Sequence, residues 1–172
     1  LFHDNPKMRN RAALPISVLL GLLSWPADAV EVGVPAPACV LRPFSEAAEV
    51  RTDHFIGKVV VIDFWASWCG PCAKSFPFLN ELVREHRDGA VHVLGVNMDE
   101  HRPDAEGFLK RYPNLFQIAM DVDARCAKAF GVKAMPSSYI INKKGFIRAV
   151  IRGFQASDAR TIRERIGDLI KE

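Results

Sequence analysis

Residues 59–72, Val-Val-Val-Ile-Asp-Phe-Trp-Ala-Ser-Trp-Cys-Gly-Pro-Cys, constrain this chain more than any other stretch. Residues 59–64 are mostly β-branched or aromatic and read as a buried strand. The strand runs into a tight turn that holds two cysteines, Cys69 and Cys72, with Gly70 and Pro71 between them. Residues 73–85 then read as a helix with Phe76, Leu79, Leu82 and Val83 on one stripe. Cys69 is thereby expected at a helix N-terminus, where unpaired N–H groups and the helix dipole favour negative charge. Such a position stabilises the thiolate, the form that attacks a disulfide. Cys72, placed one turn into the helix and shielded by Cys69, is expected to resolve the product. Pro71 is tolerated where its missing N–H has no helical partner, and Gly70 lets a partner chain approach the sulfur.

A single Cys-x-x-Cys is half a zinc site at most, because zinc takes about four ligands. His54, His86, His92 and His101 are scattered without ligand spacing and read as surface or packing residues, so no metal is expected. The net charge of +3, with no basic run interleaved with aromatics, argues against nucleic acid as a partner. A length of 172 residues, 49% of them apolar, suits one globular domain with a sizeable core.

Residues 63–72 resemble the active-site strand and turn of thioredoxins. Residues 130–141, Phe-Gly-Val-Lys-Ala-Met-Pro-Ser-Ser-Tyr-Ile-Ile, resemble the segment that carries the cis-proline of that family. The stretch 116–147 is similar to the TlpA/ResA branch of periplasmic thiol–disulfide oxidoreductases, and the likeness covers roughly residues 33–170. It implies an α/β thioredoxin-like fold: a central mixed sheet flanked by helices, with an N-terminal hairpin and a helix–strand insertion. It also implies disulfide exchange through Cys69 and Cys72, with no cofactor beyond that redox-active pair.

Asp63 lies on a strand whose neighbours are apolar, so burial is expected to raise its pKa. The resemblance makes it the general base for Cys72. By the same match Pro136 is cis and flanks the sulfurs, and Trp65 and Trp68 lie beside the site, although Trp65 equally suits the core. Trp68, Gly70, Pro71 and Met135 are the expected substrate-binding positions. The chain also departs from its relatives. Ser75 stands where many TlpA/ResA members carry a glutamate, and Gly95 where thioredoxins keep a lysine near the buried acid. Met135, bulky and polarisable, is placed either to contact a partner or to narrow the groove.

Cys39 and Cys126 form a second set, read either as a structural disulfide or as two buried thiols. A bond between them would close a loop of about 90 residues and stabilise by up to ~4.6 kcal/mol in the entropic account.

Around the core, residues 91–97 read as a second buried strand. Asp104 is expected to cap a helix through Arg111, and 116–120 to form a strand. Asp123 is expected to cap a short helix to Phe130, and residues 139–151 to form a hairpin. Ser157 is expected to cap a last helix, with Ile162, Ile166, Leu169 and Ile170 inward.

Residues 1–7 precede the first methionine and read as upstream of the natural start. A basic head at Met8-Arg9-Asn10-Arg11, an apolar run over 12–23 and Ala27-Asp28-Ala29 together have the order of a secretory leader. Cleavage after Ala29 would leave 30–172 as the exported domain, with an uncleaved inner-membrane anchor as the rival. The expected setting is the periplasm, and the expected partners are protein disulfides and a membrane thiol donor of the DsbD/CcdA type. A monomer is expected. The Gly-Pro loop is shared with thioredoxin, whose potential is about −270 mV, and so implies a reductant. Apocytochrome c and copper-site assembly proteins are the substrates the resemblance suggests. A copper-binding assembly chaperone and a non-catalytic thioredoxin-like binding module are the alternatives from other classes.

Overall fold

The computed structural model describes residues 32–45 and 48–172; the leader and its cleavage site lie outside the described residues. The apolar runs become seven strands and four helices: β1 Val40–Pro43, β2 Val50–Arg51, β3 Val59–Trp65, α1 Cys72–Glu85, β4 Val91–Asn97, α2 Arg102–Arg111, β5 Gln117–Met120, α3 Arg125–Ala129, β6 Ser137–Ile141, β7 Ile147–Arg152 and α4 Asp158–Lys171. A short 3-10 turn, Thr52–Phe55, joins β2 to the approach of β3. The strands lie in the order β2-β1-β5-β4-β3-β6-β7. β3, β4 and β5 run parallel, while β6 runs antiparallel to β3 and β1 antiparallel to β5. This is the mixed, thioredoxin-like sheet, with the N-terminal hairpin β1–β2 added on the β5 edge and α2–β5 inserted as a second parallel crossover.

β3 is buried along its whole length, as a central strand covered on both faces must be. Its side chains alternate between two cores. Val59, Val61 and Trp65 pack with Phe76, Leu79 and Leu82 of α1 and with Ile162, Ile166 and Leu169 of α4. Val60, Ile62 and Phe64 pack with Leu41, Val50 and, from α3 and its end, Cys126, Ala127 and Phe130. Asp63 shares the odd-numbered face of β3 and therefore points toward the α1 side.

Helix starts are where expectation and structure part. α1 begins at Cys72 itself, so Cys72 opens the helix rather than lying one turn inside it. α2 begins at Arg102, with Pro103 in its first positions, where a missing N–H does no harm. Asp104 thus falls inside the first turn and does not cap it. Asp123 does not cap α3 either. Ala124 sits in the left-handed region at φ 52°, turning the backbone so that Asp121 accepts from the Cys126 and Ala127 N–H groups instead. Ser157 stands at the N-cap position of α4 without a side-chain bond, and the Asp158 carboxylate accepts from the Gln155 N–H. Among the described residues no helix is long and apolar enough to cross a membrane.

Candidate active site

The carboxyl end of β3 delivers the chain into a turn closed by the Cys69 N–H donating to the Ala66 carbonyl at 3.1 Å. Cys69 and Cys72 are joined, S–S 2.05 Å with Cα atoms 5.4 Å apart, so the structure is of the oxidised form. The Cys72 N–H, first of the helix, donates to Cys69 Sγ at 3.2 Å. Cys69 therefore holds the place at which a helix N-terminus stabilises an anion. Cys72 is fully buried, whereas Cys69 keeps 5% of its surface. The outer sulfur is the one a partner can reach.

Trp68, Gly70 and Pro71, next to Cys69 in the chain, are exposed, and Trp68 is 71% accessible. Register partners Phe64 and Ser137 bring the start of β6 to the end of β3. Pro136, preceded by a cis peptide bond to Met135, is thus set beside the turn that carries the cysteines. Met135 is half-buried and packs against the core on the α1 side. Trp65, in contrast, is core alone. It is fully buried, with edge-on contacts to Phe76 and a tilted one to Phe108 at 5.0 and 4.9 Å. Such pairs contribute about 0.5–1.5 kcal/mol each beyond simple burial, which fixes the ring beneath the site rather than on its surface.

Asp63 is fully buried, and its carboxyl is pushed up to about 7 by loss of hydration; a hydrogen bond from Ser138 opposes the rise. Its second oxygen, Oδ2, has no hydrogen-bond partner among the described residues. No cation stands beside it on β4, because its register partner there is Gly95. A Cβ at Gly95 would meet Ile118 Cδ1 at 2.8 Å, Phe116 Cε2 at 2.9 Å and Trp65 Nε1 at 3.1 Å. The space that a lysine would need is filled by three side chains. Ser75 is likewise buried and donates its hydroxyl to the Cys72 carbonyl, so no second acid enters from α1.

Asp63 faces the side of the sheet on which Cys72 is buried. The turn, the helix start and the acid together can therefore run a two-sulfur exchange. Cys39 and Cys126 are also bonded, S–S 2.17 Å and Cα–Cα 5.6 Å, tying the start of β1 to α3. From sequence both a structural disulfide and two buried thiols were open for that pair. No cluster of three or more potential metal ligands occurs among the described residues. His92 stacks on Phe55 at 3.9 Å.

Comparison with known proteins shows the family to which the chain belongs. The Redoxin family matches over residues 31–164. The chain belongs to that family. Within the Redoxin proteins it falls with the TlpA/ResA-like members of the thioredoxin superfamily. It is 31% identical over 131 residues to the thiol-disulfide oxidoreductase ResA of Bacillus thuringiensis, covering 76% of this chain and 75% of that one. It is 35% identical over 125 residues to ResA of Geobacillus thermodenitrificans, covering 73% and 71%. A DsbE-type thiol:disulfide interchange protein of Chlorobium tepidum superposes with TM-score 0.78 at 32% identity, covering 83% of this chain and 99% of its own. This Redoxin protein is a thiol–disulfide oxidoreductase.

Two groups that matter to the site were not singled out in the sequence. Ser138 faces Asp63 from β6, and the pattern of a small hydroxyl two residues after the proline was its only signal. Asp99, two residues beyond the end of β4, is buried and holds Ser67, two residues before Cys69. An acid just beyond the end of a buried strand was the signal there.

Proposed function

We propose that this protein reduces protein disulfides in the periplasm, with Cys69 as nucleophile, Cys72 as resolving thiol and Asp63 as its base. The observation that carries the reading is the Cys69 sulfur on the Cys72 N–H at the start of α1. In the reduced protein the Cys69 thiolate attacks one sulfur of a substrate disulfide. The other substrate sulfur leaves as a thiolate, and a mixed disulfide remains. The Cys72 thiol gives its proton to the Asp63 carboxylate, and the Cys72 thiolate attacks Cys69 Sγ. The substrate's second thiolate departs, the substrate has gained two electrons, and the protein is left with Cys69 and Cys72 bonded.

An acid whose pKa lies near 7 is well matched to this proton transfer at neutral pH. Trp68, Gly70, Pro71 and Met135 border the path by which a partner peptide reaches Cys69, with the Pro136 backbone alongside. The chemistry uses no cofactor other than the two sulfurs. An apolar leader over 12–23 followed by a small-residue site supports export. In an oxidising compartment the spent disulfide needs a membrane dithiol donor of the DsbD/CcdA type, to which the protein presents itself as a monomer. Apocytochrome c and copper-site assembly proteins are the substrate classes.

The test is the equilibrium potential of the Cys69–Cys72 pair against glutathione, together with trapping by Cys72→Ser. A potential near that of thioredoxin, about −270 mV, is expected, and the variant should accumulate mixed disulfides through Cys69. A value near about −120 mV, the range of a strong oxidant, would reverse the direction of electron flow. Absence of any mixed adduct in Cys72→Ser would remove the exchange mechanism.

A further inference from the structure

The turn that presents Cys69 is held from behind by a buried carboxylate. β3 and β4 end level, with Trp65 paired to Asn97, and the Met98 N–H extends the ladder by donating to the Trp65 carbonyl. Asp99 then turns inward, only 3% exposed. The Ser67 N–H lies between its two oxygens at 3.2 and 3.0 Å, and the Ser67 hydroxyl donates to Oδ1 at 2.9 Å. Asn97 Nδ2 donates to Oδ2 at 2.8 Å, and the Asp99 N–H donates back to Asn97 Oδ1 at 3.0 Å. Asn97 is itself fully buried.

An ionised carboxylate is an acceptor at both oxygens, whereas an amide offers one acceptor and one donor group. The three donors of this cluster therefore fit an aspartate and not an asparagine at position 99. Ser67 lies inside the turn closed between Ala66 and Cys69.

We infer that Asp99 is a positioning residue for Cys69: it fixes Ser67, and through it the turn that sets Cys69 Sγ on the Cys72 N–H. The inference rests on the reading of Cys69 as the nucleophile. Two effects of removing Asp99 oppose each other. A loosened turn takes the sulfur away from the N–H and disfavours the thiolate. Loss of a neighbouring anion by itself favours the thiolate. The inference is that the first effect wins.

Alkylation of reduced protein by iodoacetamide across pH reads the Cys69 thiolate directly and needs neither a protein substrate nor an electron donor. Failure of the parent to reduce insulin would thus count against the proposed function and leave this measurement intact. In Asp99→Ala, with its fold checked by near-UV circular dichroism, the Cys69 rate at pH 7 should fall at least fivefold and its titration move upward. The exchanged pair Asn97→Asp with Asp99→Asn reverses the direction of the 97–99 side-chain bond and leaves one amide carbonyl at position 99 to accept from both Ser67 groups, and should return the rate to within about twofold of the parent. Ser67→Ala removes one donor with less risk to folding, and should lower the rate about twofold or more. If Asp99→Ala does not fold, Ser67→Ala and the exchanged pair decide the matter. A rate in folded Asp99→Ala, or in Ser67→Ala, that is unchanged or faster overturns the inference. So does an exchanged pair that folds yet alkylates as slowly as Asp99→Ala.

Discussion

Ser138 donates its hydroxyl to Asp63 Oδ1 at 2.5 Å, directly across the antiparallel β3–β6 pair in which the two residues are register partners. Among the described residues this one partner offsets the burial of the carboxylate. A hydrogen bond to the charged form lowers a pKa, and bonds to charged groups are worth about 1.5–3 kcal/mol. Ser138→Ala should move Asp63 up from about 7 by roughly one unit or more. Carbon-13 titration of the Asp63 carboxyl in the oxidised protein reads this directly. The rise of the resolving step with pH should shift upward with it, and a carboxyl titrating at or below the parent value would contradict the assignment.

Burial of Asp63 also makes stability depend on pH. The group ionises near 3.8 when unperturbed and near 7 in the folded protein. Below about pH 4 both states hold the proton, and the contribution of the neutral carboxyl is fully present. Between about 4 and 7 the unfolded chain has released a proton that the folded protein keeps, so stability declines as pH rises. Above about 7 the loss is complete and amounts to roughly 4 kcal/mol at most. Asp63→Asn removes this dependence. Urea unfolding of the oxidised protein at pH 5 and pH 8 should therefore show the variant gaining on the parent at the higher pH. Parallel profiles would mean that Asp63 is not the buried acid responsible.

Much of this arrangement was legible in the sequence because local chemistry demanded it. The cysteine pair needed a helix start, and the run 91–97 could only be a buried strand. What was not legible depended on which face a residue takes. β3 is buried on both sides, so its composition could not say whether Trp65 looks up at the sulfurs or down into the core. The cap of α3 turned on Ala124 adopting a left-handed backbone, a conformation no propensity assigns to alanine. Asp121 and Asp123 are chemically alike, and only that turn decides between them. The closure of Cys39 on Cys126 joins residues 87 apart, a proximity that comes from β1 pairing with β5 and not from anything local.

Gly95 shows the same dependence on packing, since it is Trp65, Phe116 and Ile118 that close the space above it. Gly95→Ala places a methyl group under 3.0 Å from two of these side chains, and overpacking of this kind costs about 1–3 kcal/mol. Ile118→Val deletes the Cδ1 atom that the new methyl meets first. The double variant should accordingly lose less than the sum of the two single changes in urea unfolding. Strictly additive losses would place the strain elsewhere. Gly95→Lys should be worse than either, because its longer side chain meets the same three side chains from its first carbon onward.

The disulfide between Cys39 and Cys126 bears on stability and not on exchange. It ties the start of β1 to α3, on the opposite sheet face from α1, and its sulfurs are nearly buried. Opening a loop of this length is worth up to about 4.6 kcal/mol in the chain-entropy account, with less expected if the unfolded chain keeps residual structure. Cys39→Ala with Cys126→Ala should lower the urea midpoint with a loss of roughly 2–4 kcal/mol. Insulin reduction by the folded double variant should stay within about twofold of the parent, because neither sulfur lies on the face that carries Cys72 and Asp63. Both readouts are needed. A large fall in turnover with the fold intact would make the second pair part of the electron path, and an unchanged midpoint would mean that the bond constrains nothing the native contacts do not already hold.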